Sequence, residues 1–167
     1  MPERPDVEAV IEIPKGGRNK YEYDPERKVI FLDRRLFSAT VYPSDYGFIP
    51  DTLAEDGDAL DVLVLVDEPT FPGCHIMVKP LGVFRMADEH GPDNKILALP
   101  ANDPQAQEIA GLEHLPPLLI EEIAHFFRVY KDLEPGKDSE VYGFAGAGEA
   151  WAEIEACRDR FSATERR

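Results

Sequence analysis

The segment Ala59 to Val66 is aliphatic at every position after Asp61, and a strand of that composition is buried on both of its faces. A chain of 167 residues has room for one domain around such a strand and is too small for two comfortable ones. Hydrophobic residues make up 43% and charged residues 31%, a balance that favours a folded core over disorder. The strand is entered directly from an acidic loop, DGDALD, at Asp56 to Asp61.

Other segments fit the same picture. Val7 to Ile13 alternates, with Val7, Ala9, Ile11 and Ile13 on one face and Glu12 pointing away from that row. Tyr21 to Tyr23 and Val29 to Leu32 read as strands joined by a turn at Asp24 and Pro25. Ile76 to Arg85 and Lys95 to Leu99 form a further pair around a second acidic loop, Asp88 to Asn94. Helical spacing comes late. Leu119, Ile123, Phe126, Phe127 and Tyr130 follow Pro116 and Pro117 and predict a helix ending near Lys131. After the glycine-containing stretch Gly143 to Gly148, Trp151, Ile154 and Phe161 predict a second helix over about 149–163. The fold expected is α+β and mainly β: a small closed OB-like five-stranded β-barrel with appended α-helices, in a single domain.

The formal net charge of −15 argues against nucleic acid as a partner, because phosphate-backbone binding needs clustered Lys and Arg. The same charge would repel a small phosphate ligand unless some carboxylates hold divalent metal, which inverts the local field. Cys74 and Cys157 are far apart and outside any CxxC pair, so no disulfide framework or zinc site is expected, and a reduced cytoplasmic setting fits. Met1 to Val10 has no apolar signal-like run, and Val62 to Val66 is too short to span a bilayer, so neither export nor membrane insertion is expected.

Three carboxylates within six residues at the mouth of a rigid strand are costly unless something positive sits among them. A calcium loop of the EF-hand kind does not fit, because Leu60, Asp61 and Asp67 stand at its fifth, sixth and twelfth positions. Taken alone, a solvated turn explains DGDALD equally well. The loop DEHGPDNK, Asp88 to Lys95, is likewise an ordinary surface loop by itself. In KYE, Lys20 and Glu22 are two apart on a strand and share a face, as a bland salt bridge would also require. Arg34, Tyr42, Tyr46, Tyr130 and Lys131 add further cations and phenols.

Together these segments resemble the family I soluble inorganic pyrophosphatases, and actinobacterial-type members in particular. The resemblance runs in order from about Glu12 to Lys137. It is carried by IEIPKG from Ile11, NKYEYD from Asn19, LDR from Leu32, YPSDYGFIPDTL from Tyr42, DGDALDVLVL from Asp56, DEHGPDNK from Asp88 and HFFRVYKDLEPGK from His125. It implies that Asp56, Asp61 and Asp93 hold the tightest metal pair, Asp61 bridging, while Asp88 and Glu22 help hold ions that arrive with substrate. Asp58 would be the general base. Lys20, Arg34, Tyr46, Lys95, Tyr130 and Lys131 would bind diphosphate, with Glu12, Tyr42 and Glu89 supporting. His90, inside the acidic loop, is a candidate to touch a metal or relay a proton, against the simpler reading of a solvated loop histidine.

The implied cofactor is Mg2+, several ions per site, with Mn2+ or other divalent ions able to substitute, and the implied assembly is a homohexamer with the His125 helix at an interface. The chemistry is coherent in physical terms. Magnesium binds through one or two carboxylates, retained waters and substrate phosphates. Six carboxylates and a diphosphate of about −4 exceed the four Lys and Arg charges by about six, which roughly three divalent ions would cancel. Two departures stand out: Asp138, Ser139 and Glu140 occupy positions where an aromatic and aliphatic strand usually follows, and Ala59 replaces a common proline. Two rival readings are a non-catalytic calcium or magnesium binding module, which leaves the Lys and Arg residues unexplained, and a nucleotide hydrolase, for which no base pocket is identifiable.

Overall fold

The computed structural model describes residues 4–165, so Met1 to Glu3 of the N-terminal stretch discussed above lie outside the described residues. In chain order the elements are β1 (Val7–Ile13), β2 (Asn19–Asp24), β3 (Val29–Arg35), β4 (Asp45–Ile49), β5 (Leu60–Val64), β6 (His75–Asp88), β7 (Gly91–Pro92), β8 (Lys95–Pro100), α1 (Pro117–Val129), β9 (Ser139–Gly146) and α2 (Ala147–Glu165). Two short 3-10 turns lie between β8 and α1.

Strands β1, β4, β5, β8 and β6 pair in that order, and β1 pairs again with β6, which closes a ring of five. The ring and its two helices agree with the mainly β architecture expected. Its membership is less obvious from sequence. β2 and β3 form a separate two-stranded sheet, and β4, within YPSDYGF, takes a place in the ring. Gly47 makes that place possible: a Cβ there would lie 1.8 Å from the carbonyl oxygen of Val10 on the neighbouring strand.

The aliphatic run is buried on both faces, as its composition requires. Leu60, Val62 and Val64 pack with Val7, Ala9, Ile11, Ile96 and Ala98, and with Trp151, Ile154 and Cys157 of α2. Leu63 faces the other way, toward Phe84, Leu97 and the Ile123, Phe126 and Phe127 side chains of α1. Each such large apolar side chain contributes about 1.5–3 kcal/mol when fully buried. Ile13 leaves the row predicted for β1 and joins the α1 side, because the register against β4 shifts between Ile11 and Ile13.

The C-terminal third departs from expectation in an instructive way. The polar run from Asp138 does not prevent a strand: β9 pairs antiparallel with the second half of β6, from Asp88 opposite Ser139 to Gly82 opposite Gly146. As an attached edge it needs only one packed face, and it leaves Glu140 and Tyr142 exposed. The glycine-containing stretch therefore spans the end of β9 and the first residues of α2, which begins at Ala147. On α2, Trp151 and Ile154 are buried as predicted, while Phe161 is half-exposed and Cys157 takes the inner position.

Candidate functional site

The acidic loop before β5 is held at its base. The hydroxyl of Thr52 donates to the Ile49 carbonyl at 2.5 Å and accepts from the amide of Leu60 at 2.9 Å, clamping both ends of the loop. Helix α2 secures its flank: the amide of Leu53 donates to the Cys157 carbonyl at 3.0 Å, and Arg160 donates to the Leu53 carbonyl at 2.7 Å. Gly57, at φ +92°, makes the turn that side chains resist. Across it the amide of Asp58 donates to Asp56 Oδ1 at 3.1 Å. Asp56 is half-buried and Asp58 exposed, so two neighbouring carboxylates acquire different surroundings. Burial, opposed by the Asp58 amide and reinforced by the charge of Asp93, raises the carboxyl of Asp56 above its usual range.

At the centre is Lys95. Its residue on β8 lies opposite Asp61 on the parallel strand β5, so the ladder sets an ammonium beside a carboxylate. Lys95 Nζ lies 2.9 Å from Asp61 Oδ2 and 3.0 Å from Asp93 Oδ2, and donates to the phenol oxygen of Tyr46 at 2.7 Å. Tyr46 in turn donates to Asp61 Oδ2 at 2.6 Å. The ammonium also sits 5.1 Å from the ring centres of both Tyr46 and Phe127, within cation–π range. The side chain of Lys95 is 1% exposed and that of Asp61 23%, so the lysine lies beneath a carboxylate that reaches solvent.

The electrostatics follow from that layering. Burial lifts the carboxyl of Asp61 to about 6, with help from the charge of Asp93 and against the pull of Lys95 and Tyr46. For Asp93 burial also raises the value, but the ammonium and hydrogen bond of Lys95 outweigh it and leave the group below the ordinary range. Burial alone would lower Lys95; its two carboxylates hold it well above the usual ammonium value instead. Tyr42, Tyr46 and Tyr130 are all pushed up, chiefly by burial, and remain neutral phenols.

The remaining predicted residues gather round this centre. Lys131, just past α1, lies 3.4 Å from Asp88 and 3.6 Å from Glu89, and its charge also favours ionised Asp93. Asp88 accepts from the amide of His90 at 2.8 Å, while Glu89 accepts from that of Asp138 at 3.3 Å. Tyr42 packs 5.3 Å from Tyr46 and 4.7 Å from Phe126, ring centre to ring centre. Glu12 accepts from the amide of Tyr23 at 2.7 Å, which ties the β2–β3 hairpin to β1. Burial lifts Glu12 to about 7, and Asp61, Lys20 and Glu22 all act on it electrostatically. On the hairpin, Lys20 pairs with Glu22 and lies 3.8 Å from Asp33, and Arg34 pairs with Asp33 and with Glu134. His90 is set apart: its side chain is 73% exposed, 3.9 Å from Glu89.

Sequence reasoning missed two charged residues here. Asp33 bridges the hairpin cations, and Glu134 is a buried carboxylate in the turn after α1. Both lie inside quoted motifs, LDR and KDLEPGK, but nothing in their spacing separates them from ordinary surface acids.

The donor set suits a hard divalent cation. Among the described residues no three ligating side chains close on one point, and the Lys95 ammonium bonds both Asp61 and Asp93. The available ligands are nonetheless all carboxylate oxygens. Asp61, lifted to about 6, also lacks the positive charge that would fully offset its burial.

Comparison with known proteins gives a consistent result. The family model described as inorganic pyrophosphatase matches residues 9–162. An inorganic pyrophosphatase of the actinobacterium Streptomyces coelicolor is 54% identical over 156 residues, 93% of this chain and 96% of that protein. One from Methanosarcina mazei is also 54% identical, over 97% of this chain and 95% of its own length. Among solved structures, the inorganic pyrophosphatase of Thermus thermophilus superposes with a TM-score of 0.92 at 44% identity, over 97% of this chain and 94% of that one. The Helicobacter pylori enzyme gives 0.92 at 38% identity, over 95% and 94%.

Proposed function

Since the chain belongs to the inorganic pyrophosphatase family, we propose that its cleft hydrolyses inorganic diphosphate to two orthophosphates with divalent cations, magnesium foremost, and Asp58 as general base. The observation that carries this reading is the buried ammonium of Lys95, joined to Asp61, Asp93 and Tyr46 within 3.0 Å. That arrangement gathers a phenol from β4, a carboxylate from β5, a second carboxylate from the loop before β8 and the ammonium of the first residue of β8 into one place.

Asp56, Asp61 and Asp93 would hold the principal cations, with Asp88 and Glu22 assisting. When bound, such ions supply positive charge that offsets the carboxylates and the diphosphate, and they acidify water toward neutrality. The protein's own groups do the rest. Asp58, exposed at the tip of its loop, is free to accept a proton from attacking water, whereas Asp56 beside it is engaged by the Asp58 amide. Lys20, Arg34, Lys95 and Lys131 would neutralise the diphosphate oxygens, and Tyr130, kept neutral by burial, would donate to them, as would Tyr46 on turning its one proton from Asp61 to the substrate. In-line attack needs the phosphoryl group held against this wall of donors, with the aromatic floor of Tyr42, Phe126 and Phe127 excluding water from beneath. Glu12 and Glu89 act by fixing the hairpin and the acidic loop.

A homohexamer fits this reading. His125 is exposed on α1, and Val29, Phe31 and Leu32 are exposed large apolar side chains on β3, surfaces that self-association would cover. Mass measurement in solution tests it, and a monomer would remove it. Two free thiols, Cys74 and Cys157, accord with a reducing cytoplasmic setting.

The deciding assay is phosphate release with magnesium and diphosphate, run beside a nucleoside triphosphate and beside a chelator control. Rapid release from diphosphate alone, abolished by chelator, is expected. Release from neither substrate would leave only a binding module.

A further inference from the structure

Arg34 stands on a hairpin that shares no strand ladder with the ring, since β2 and β3 pair only with each other. Its position relative to Lys95 and Lys131 therefore depends on the backbone bonds that join Gly16 and Gly17 to Tyr42 at its root and, beyond them, on side-chain tethers. At one end of the hairpin Glu12 accepts the Tyr23 amide, and the Tyr23 ring stacks on Phe48 of β4 at 5.4 Å. Near Arg34 the tether is a carboxylate from elsewhere in the chain. Glu134 Oε1 lies 2.6 Å from Arg34 Nε, whereas Asp33, the other partner, is its neighbour on β3 and moves with it.

Glu134 is well placed for that role. Its side chain is 2% exposed, and its amide donates to the Lys131 carbonyl at 2.9 Å, so the carboxylate is fixed to the same turn that carries Lys131. A buried carboxylate is costly without positive partners. Among the described residues its partners are Arg34 and Lys137, the latter at 3.2 Å and 34% exposed. Neither oxygen of Glu134 makes a well-aligned hydrogen bond, so the carboxylate caps no backbone and acts through its charge on the guanidinium. Asp33 engages Arg34 at Nη1, while Nε and Nη2 are both buried donors without an aligned acceptor among the described residues, so the hold of Glu134 on the guanidinium is one of charge and proximity.

We infer that Glu134 is a positioning residue for diphosphate: it holds the Arg34 guanidinium, and so its positive charge, against the turn after α1 that carries Lys131. This rests on the reading of Arg34 as a diphosphate-binding group. It adds a residue whose effect is exerted wholly through another.

Steady-state kinetics with magnesium and diphosphate, together with thermal unfolding, test it on Glu134→Gln, Arg34→Ala and the double variant. For Glu134→Gln, KM rises about ten-fold while kcat changes by less than about three-fold, the signature of lost binding without lost chemistry. The double variant is no worse than Arg34→Ala alone, because the two residues act as one unit. Glu134→Asp, which keeps the charge but shortens its reach, falls between wild type and Glu134→Gln. An unchanged KM in folded Glu134→Gln, or independent effects that multiply in the double variant, overturns the inference. Should Glu134→Gln not fold, Glu134→Asp carries the test, and a folded Glu134→Asp with wild-type KM overturns it equally. Wild-type protein that releases no phosphate from diphosphate would overturn the proposed function and this inference with it. Active wild type with an indifferent Glu134 removes only the latter.

Discussion

The phenol of Tyr46 donates to Asp61 Oδ2 across 2.6 Å while accepting from the ammonium beneath, so one hydroxyl sets the hydrogen-bonding state of both charged neighbours. Pairing of β4 with β5 fixes this relationship, with Tyr46 opposite Leu63 and Asp61 two residues before it. Tyr46→Phe keeps the ring and its packing but removes the hydroxyl. Diphosphate turnover is expected to fall about ten-fold, with about 1 kcal/mol of stability lost, as kinetics and denaturant unfolding would show. Full activity would remove Tyr46 from the site.

Asp58 is exposed and bears no packing, so Asp58→Asn should leave the unfolding transition unmoved. Its turnover is expected to drop about 10²-fold or more. Magnesium binding, followed by calorimetry, should persist. A near-normal rate would assign the proton transfer elsewhere.

Lys95→Met leaves Asp61 and Asp93 without the ammonium they share. Breaking such a buried arrangement costs about 3–5 kcal/mol. The loss should be largest in chelator and partly recovered by magnesium, which binds only the folded form. Equal losses with and without magnesium would show that no ion replaces the ammonium there.

The raised carboxyls of Asp61 and Glu12 give stability a pH slope of known sign. Folded, they hold protons up to about 6 and about 7, whereas the unfolded chain releases them near 3.8 and 4.5. Between about pH 4 and 7 the folded state thus binds more protons, and the stability of the metal-free protein declines as pH rises through that window. Asp93 and Glu89, both lowered, act oppositely but only below their usual values. Thermal unfolding in chelator should therefore show a falling midpoint, flattened in Asp61→Asn, and stabilisation by magnesium should grow as Asp61 ionises. A midpoint that climbs across the window contradicts the assignment.

The parts legible in sequence were those with a local signature. The aliphatic run of β5, the alternation of β1 and the spacing of α1 each fixed their own burial, and clustered acids at strand entrances marked the loops. β4 had no such mark, since its place depends on Gly47 admitting a backbone at close range. β9 was masked by its polar start, because an edge strand can keep one face wet. At the site, the register that sets Lys95 opposite Asp61 follows from ring closure, which no local pattern encodes. Glu134 was hidden for a related reason: its burial comes from a guanidinium contributed by a strand one hundred positions earlier, at Arg34.

Leu53, at the root of the acidic loop, is gripped through both its amide and its carbonyl by α2, and Arg160 stands 107 positions further along the chain. During synthesis the earlier portion emerges first and begins to fold, yet this grip cannot form until Arg160 of α2, more than one hundred positions downstream, has left the ribosome. Competence would then wait on the synthesis of α2, and a nascent chain stalled before that helix would carry every proposed ligand without the means to hold the first of them steady.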